Sequence, residues 1–490
     1  MLAGMVSIVA MLVHPLSRGL WLQVETLSKQ FKEQGGASTM DPNPLRRWLV
    51  STIIRRVLRP SRLLKRRNQF ERQRRQRAAR HRVEYFHQID DSYSHLTAQL
   101  LKSLLARYDI ELVCYLVTGP TGQNAAEPQL QAHQAAHDAA CIAPHYGLSF
   151  PMLPSPEPDP SLAQLASAIL AAQSASGFIN AAAEVGEALW HGDKAALEAI
   201  AAEHSCASAE QVAGCLKSGN ARRAALGHYA GAMFYYAGEW YWGVDRLHHL
   251  ETRLQALGAA CSAQTSLLAP RPDIISGPLK DNGSLRLEVY ASLRSPYTAI
   301  IFDRALSLAR EVGVELVVCP VLPMVMRGVP VTREKGWYIF TDAAREAREA
   351  GVTFGRFYDP VGEPIRRCYS LFPWACEQGK GAQLISSFLR CAFAEGVNTN
   401  TDKGLKRVVE GAGLDWLQAQ NILGQSDWQA ILEANRQAMY DVGLWGVPSF
   451  RLLDTSRDKS GEQIAALWGQ DRLWLIAREI QSRLANNNGE

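Results

Sequence analysis

Short apolar runs bounded by turn residues alternate with longer stretches of helical period along this chain. The first run, near residues 83–88, and the second, IELVCYLV at 110–117, have the length and the β-branched and aromatic content of buried strands. A helical segment separates them, and a long helical stretch follows. A hairpin and a last helix close the succession over 231–256. The same order then returns. LRLEVYASLRSPYTAIIFDRAL, Leu285 to Leu306, reads strand, turn, helix; a second strand is predicted at 314–322 and a hairpin with a last helix at 447–486.

The recurrence extends to single residues. At a constant offset of 204, Glu84 falls on Glu288, Tyr93 on Tyr297, Glu111 on Glu315, Asp138 on Asp342, Gly147 on Gly351 and Phe150 on Phe354. The ends agree too: Trp242-Gly243-x-Asp245-Arg246-Leu247 parallels Trp468-Gly469-x-Asp471-Arg472-Leu473. A period near 200 residues is far too long for a solenoid and implies two copies of one domain. Each copy opens with a β-turn-α-β unit, fills its middle with helices and returns to strands, the plan of a thioredoxin-fold domain with a helical insertion. The expected fold class is therefore α/β, with two tandem domains of this plan. Expected boundaries are an N-terminal arm at 1–80, a first domain at 81–257, a Pro/Gly/Ser-rich linker at 258–283 and a second domain at 284–490. PSPEPDPS, 154–161, marks where the first copy's helical insert begins.

Three short stretches of the second copy carry candidate chemistry. In Ser295-Pro296-Tyr297, Pro296 suits the first helical position and Ser295 its cap. Ser295 reads either as a plain helix cap or as a hydroxyl facing a ligand, because a helix N-terminus favours negative charge and stabilises a thiolate. GLWGVPSFRLL, 443–453, puts Val447-Pro448 at a strand entrance. Proline is tolerated there on steric grounds alone. A cis bond would present the Val447 backbone to an extended, peptide-like ligand. WGQDRL, 468–473, precedes the last helix. Asp471 reads as a cap or as the receiver of a ligand ammonium, and Arg472 as a structural ion-pair partner.

Together, Ser-Pro-Tyr, Gly-Val-Pro-Ser-Phe and Trp-Gly-Gln-Asp-Arg-Leu resemble the 2-hydroxychromene-2-carboxylate isomerase and kappa-class glutathione transferase group, in the DsbA-like branch of the thioredoxin superfamily. TREKGWYIFTDAAREAREAGVTF (332–354), FLRCAFAEGVN (388–398) and LEANRQAMYDVG (432–443) are similar to family segments in the same order, so the resemblance covers about 284–486. It implies glutathione as cofactor and a small conjugated organic molecule as substrate. Ser295 would hydrogen-bond the glutathione thiolate, Val447 beside a cis Pro448 would pair with the cysteinyl backbone, and Gln470 and Asp471 would hold the γ-glutamyl end. In the isomerase reaction the thiolate adds to the conjugated substrate, the ring opens, a bond rotates and the thiolate leaves. No metal is implied. The family carries a Lys and then an Asn shortly after the second strand. Here PVLPMVMRGVPV (320–331) offers Arg327 for the lysine and no following asparagine, which leaves the organic substrate open.

The first copy departs at the same places. Asp91 stands where Ser295 stands and would repel a thiolate. Met233 replaces Pro448, and the hairpin is shorter. The first copy is expected to lack a glutathione site and to act as a built-in partner, giving a pseudo-dimeric monomer.

Composition, 47% hydrophobic and 20% charged over 490 residues, fits a globular chain with more than one core. Nine cysteines without a C-x-x-C argue against a disulfide framework, a zinc ribbon and a dithiol centre, and fit a reducing cytoplasm. Charge is uneven. Between Arg46 and Arg82 fifteen Lys and Arg face one acid, Glu71, for a local +14; residues 1–45 balance, and the total of +4 leaves 83–490 at −10. In the arm, Leu45, Trp48, Leu49, Ile53 and Val57 recur at helical spacing until Pro60 ends or kinks the helix. Residues 45–80 read as a helix docked on the acidic body, a disordered tail, or a contact with an anionic membrane surface; nucleic acid is the less favoured partner. Membrane contact would make the protein peripheral. The opening MLAGMVSIVAMLVHPLSRGL makes a poor signal peptide, and Met40 begins a segment of different character. Two other function classes stay open: a non-catalytic binding or scaffold protein, and a thiol-disulfide oxidoreductase.

Overall fold

A computed structural model describes residues 41–152, 157–262, 266–329, 331–458 and 460–487. The expectations placed on the first 40 residues lie outside this range. Contact density divides the chain into two compact units. One holds the residues up to Arg56, Arg286–Arg310 and Glu315–Met439; the other holds Val57–Leu285, Glu311–Val314 and the residues from Tyr440 onward.

Two helices open the described chain, α1 (Pro44–Val57) and α2 (Pro60–Gln76), and Pro60 takes the first position of α2 as its missing N–H allows. Then follow β1 (His81–Gln88), α3 (Ser92–Arg107), β2 (Ile110–Val117) and α4 (Pro128–Ile142). Helices Pro160–Ala171, Ala175–Trp190, Lys194–Glu203 and Ala209–Ala225 fill the insert, and the hairpin β3 (Met233–Tyr236) and β4 (Glu239–Trp242) leads into α5 (Gly243–Ala256). β1 runs parallel to β2, with Val83 opposite Leu112, and antiparallel to β3, with Tyr85 opposite Phe234. The sheet order is β2-β1-β3-β4. Val83, Tyr85, Phe86, Leu96, Leu101, Leu104 and Phe234 are wholly buried. Each such Val, Leu or Phe contributes about 1.5–3 kcal/mol. Within β1 only Arg82 is exposed, so the strand is buried on both faces.

The second set of elements comprises β5 (Leu285–Ala291), α6 (Pro296–Val312), β6 (Glu315–Pro320), α7 (Arg333–Glu349), a run of shorter helices, α8 (Trp428–Asp441), β7 (Ser449–Asp454), β8 (Glu462–Trp468) and α9 (Leu473–Asn487). β5 and β6 are parallel, β7 and β8 antiparallel, and the order β6-β5-β7-β8 repeats that of the first sheet. One side-chain bond repeats as well. The Tyr93 hydroxyl donates to Asp138 Oδ2 at 2.8 Å, and the Tyr297 hydroxyl to Asp342 Oδ2 at 2.9 Å. These are residue pairs matched by the 204-residue offset.

The stretch between α5 and β5 is held at two points. The Leu268 N–H reaches both Glu251 carboxylate oxygens at 3.0 Å, and Leu279 exchanges two hydrogen bonds with the Gln481 amide of α9. Among the described residues no helix is long and apolar enough to cross a membrane.

Candidate functional site

Ser295 is the N-cap of α6. Its Oγ accepts the Thr298 N–H at 3.1 Å, and its carbonyl accepts the Ala299 N–H at 3.0 Å. Buried Ile301, Phe302, Ala305, Leu308 and Val312 hold the helix below. The turn is fixed by its neighbours. The Leu293 N–H donates to the Tyr369 hydroxyl at 3.2 Å, which itself donates to the Val321 carbonyl at 3.2 Å. Arg294, directly before Ser295, grips Asp359 with Nε at 3.0 Å and Nη2 at 3.3 Å. Burial alone would raise the Asp359 pKa, but the Arg294 guanidinium outweighs it and holds the carboxyl below its ordinary value.

Asp359 in turn is clamped by α1. Arg47 Nη1 donates to the carbonyls of Asp359 at 2.6 Å and Val361 at 2.7 Å, and its Nη2 meets Asp41 Oδ1 at 2.6 Å. The Asp359 N–H donates to Ser51 Oγ at 2.9 Å. Arg47 and Ser51 are both buried. The inner face of the basic arm's first helix is thus two bonds from the Ser295 turn, a role its arginine-rich sequence did not disclose.

The Val447–Pro448 bond is cis. The Pro448 carbonyl accepts the Gly469 N–H at 3.0 Å, and Ser449 pairs with Trp468 across β7 and β8. The strand entrance and the Trp468–Arg472 turn are therefore brought together, while Ser295 belongs to the other compact unit. Two glycines make the arrangement fit. A Cβ on Gly446 would lie 2.4 Å from Trp468 Nε1. Gly469 has φ +113°, and its Cβ would lie 2.5 Å from Asp471 Oδ1. Gln470 is buried in the short 3-10 turn Gln470–Arg472.

Asp471 and Arg472 are engaged in ion pairs with the corresponding first-copy residues. Arg246 Nη1 lies 2.6 Å from Asp471 Oδ2. Arg472 reaches Asp245 with Nη1 at 2.8 Å and Nη2 at 2.7 Å, and Asp138 with Nε and Nη2 at 2.6 Å each. The Arg472 guanidinium is buried. Burial would lower its pKa, but the carboxylates of Asp138, Asp245 and Asp471 outweigh that and raise it well above the ordinary value. The structural ion-pair reading of Arg472 is what the geometry shows. A ligand ammonium at Asp471 would share that carboxylate with Arg246.

Arg327 ends the short 3-10 helix Met324–Arg327, and its charge helps hold the Glu433 carboxyl of α8 below its ordinary value, behind the larger effect of Arg436. Close by, Asn435 Nδ2 donates to the Pro320 carbonyl at 3.0 Å. Sequence reading passed over Lys335. It is buried in the first turn of α7, and burial lowers its pKa to about 8.

At the first-copy position Asp91 is likewise the N-cap, of α3: its Oδ2 accepts the Ser94 N–H at 2.9 Å and hydroxyl at 2.7 Å. Burial pushes the carboxyl up to about 6. Met233 is fully buried in β3. None of the nine cysteines is in a disulfide, and burial pushes the Cys391 thiol up to about 11 and those of Cys114 and Cys368 higher still. Such thiols are inert.

No curated protein matches the chain. Among solved structures, 2-hydroxychromene-2-carboxylate isomerase is similar at 18% identity, covering 42% of this chain and 98% of its own, with a TM-score of 0.34. The cytosolic disulfide reductase DsbM from Pseudomonas aeruginosa, solved with GSH, is similar at 20% identity, with 40% and 99% covered and a TM-score of 0.30. A probable DsbA oxidoreductase from Streptomyces coelicolor gives 19%, 40%, 90% and 0.31 for the same quantities. Residues 286–481 match the family model of the DSBA-like thioredoxin domain, so this stretch of the chain is a DsbA-like thioredoxin domain.

Proposed function

We propose that residues 284–490 form a glutathione-dependent isomerase or transferase acting on a small conjugated organic substrate. The observation that carries this reading is the capped turn. A serine hydroxyl, where the chain has no cysteine, sits at the N-terminus of a 17-residue helix directly after a buried strand. Ser295 goes on accepting from Thr298 and donates its own proton to the glutathione sulfur. The helix dipole adds to the preference for thiolate over thiol. In this reading the cis Val447–Pro448 entrance would present backbone to the cysteinyl segment, and Gln470 and Asp471 would hold the γ-glutamyl end. Arg327 and Lys335 are cations for the organic substrate. The thiolate adds to an electrophilic carbon of the conjugated system. In isomerisation the same carbon–sulfur bond breaks again, so no net redox change occurs.

The first copy, 81–257, serves in this reading as a built-in partner without a glutathione site of its own, in a reducing, cytoplasmic setting. Asp91 supports it: a carboxylate keeps the helix cap but would oppose a thiolate.

That contrast supplies the test. Ser295→Asp copies the first copy's turn and retains a capping oxygen, so the fold is kept. Isothermal titration should show glutathione binding to the wild type, at least about tenfold weaker binding to Ser295→Ala, and none to Ser295→Asp; tenfold corresponds to about 1.4 kcal/mol, one charge-assisted hydrogen bond. Equal binding to Ser295→Asp and wild type, or no binding to wild type, removes the proposal.

A further inference from the structure

Helix α1 is docked by the wrong face for an ordinary amphipathic helix. Arg47 and Ser51 point inward, Arg47 at 2% exposure. Leu45, Trp48 and Ile53 lie on the opposite stripe and stand 66%, 47% and 40% exposed. Helical spacing puts the exposed Arg56 on that same outer stripe, one turn beyond Thr52.

An apolar stripe kept in water while the polar stripe is buried calls for a second occupant. We propose that the outer face of α1 binds an anionic lipid surface. Besides the buried Arg47, α1 carries Arg46, Arg55 and Arg56 and no acid, which matches such a surface. The apolar side chains decide between anionic partners. Phosphates of a nucleic acid would satisfy the arginines but leave Leu45, Trp48 and Ile53 in water. A lipid headgroup layer takes both kinds of side chain, and indole rings favour that boundary. Among the described residues no helix is long and apolar enough to cross, and the proposed contact is peripheral.

Cosedimentation of the full chain tests this. Vesicles of phosphatidylcholine with phosphatidylserine should pellet the protein, and phosphatidylcholine alone should not. Raised salt should release it. Trp48→Ser with Ile53→Ser, both at exposed positions, should weaken pelleting about tenfold or more while leaving the thermal melt unchanged. Arg46→Gln with Arg56→Gln should weaken it on anionic vesicles as well. A wild-type chain that stays in the supernatant with anionic vesicles, that pellets undiminished after the Trp48 and Ile53 substitutions, or that captures duplex DNA in preference to vesicles overturns the proposal.

Discussion

Arg472→Met should destabilise the chain by about 3–5 kcal/mol, the range seen when one partner of a buried ion pair is removed. Arg472 holds two carboxylates at once, Asp138 and Asp245, through four hydrogen bonds of 2.6–2.8 Å. Methionine fills much of the space but leaves both charges without their guanidinium. The pH dependence separates this cause from simple loss of packing. Burial already raises the Asp245 carboxyl above its ordinary value, and Arg472 pulls it back. Without the arginine the folded-state pKa climbs further. A carboxyl whose folded pKa exceeds its unfolded one favours the native state at low pH, and that contribution is lost as pH rises through the folded value. The deficit should therefore be largest near about pH 7 and shrink toward about pH 5, with Asp245→Asn restoring part of it in the double variant. Urea unfolding at the two pH values reads this directly. A deficit below about 1 kcal/mol, or one unchanged with pH, would show that the cluster does not hold this part of the fold together.

Arg47→Met should cost about 2–4 kcal/mol, because it leaves the Asp359 and Val361 carbonyls buried without their donor. Lysine should rescue little, since one ammonium on a flexible stem does not reproduce a planar fork serving two carbonyls and the Asp41 carboxylate. The loss should spread toward the Ser295 turn through Asp359 and Arg294. Amide hydrogen exchange gives the readout: protection at Asp359, Val361 and Leu293 should fall in both variants. Loosening confined to α1, with protection at Leu293 intact, would mean that the arm docks without supporting the turn.

Much of this was legible because it is local or repeated. Strands at 81–88 and 285–291 follow from short apolar runs, and the Ser295 cap from Ser-Pro before a helical period. The matched pairs Tyr93–Asp138 and Tyr297–Asp342 were visible as an offset before either bond was seen. What stayed hidden depends on partners far along the chain. Arg47 and Asp359 are 312 residues apart, and an arginine among arginines carries no mark of burial. The signal available was weak: Arg47 and Ser51 share the stripe opposite Leu45, Trp48 and Ile53, so two faces competed for docking and the polar one won by hydrogen bonding. Asp471 shows the converse. Its motif suggested a ligand contact, and the ion pair with Arg246 emerged only when the two Asp-Arg dipeptides met in space.

The role proposed for Ser295 is to stabilise a bound thiolate. The most direct measurement is the ultraviolet titration of the thiolate of glutathione in complex with the full chain. An apparent pKa clearly below the ordinary thiol value of about 8.5 is expected in the wild type, rising back toward it in Ser295→Ala. A bound thiol that titrates like the free one in the wild-type complex, or a depressed value that survives Ser295→Ala, would contradict it.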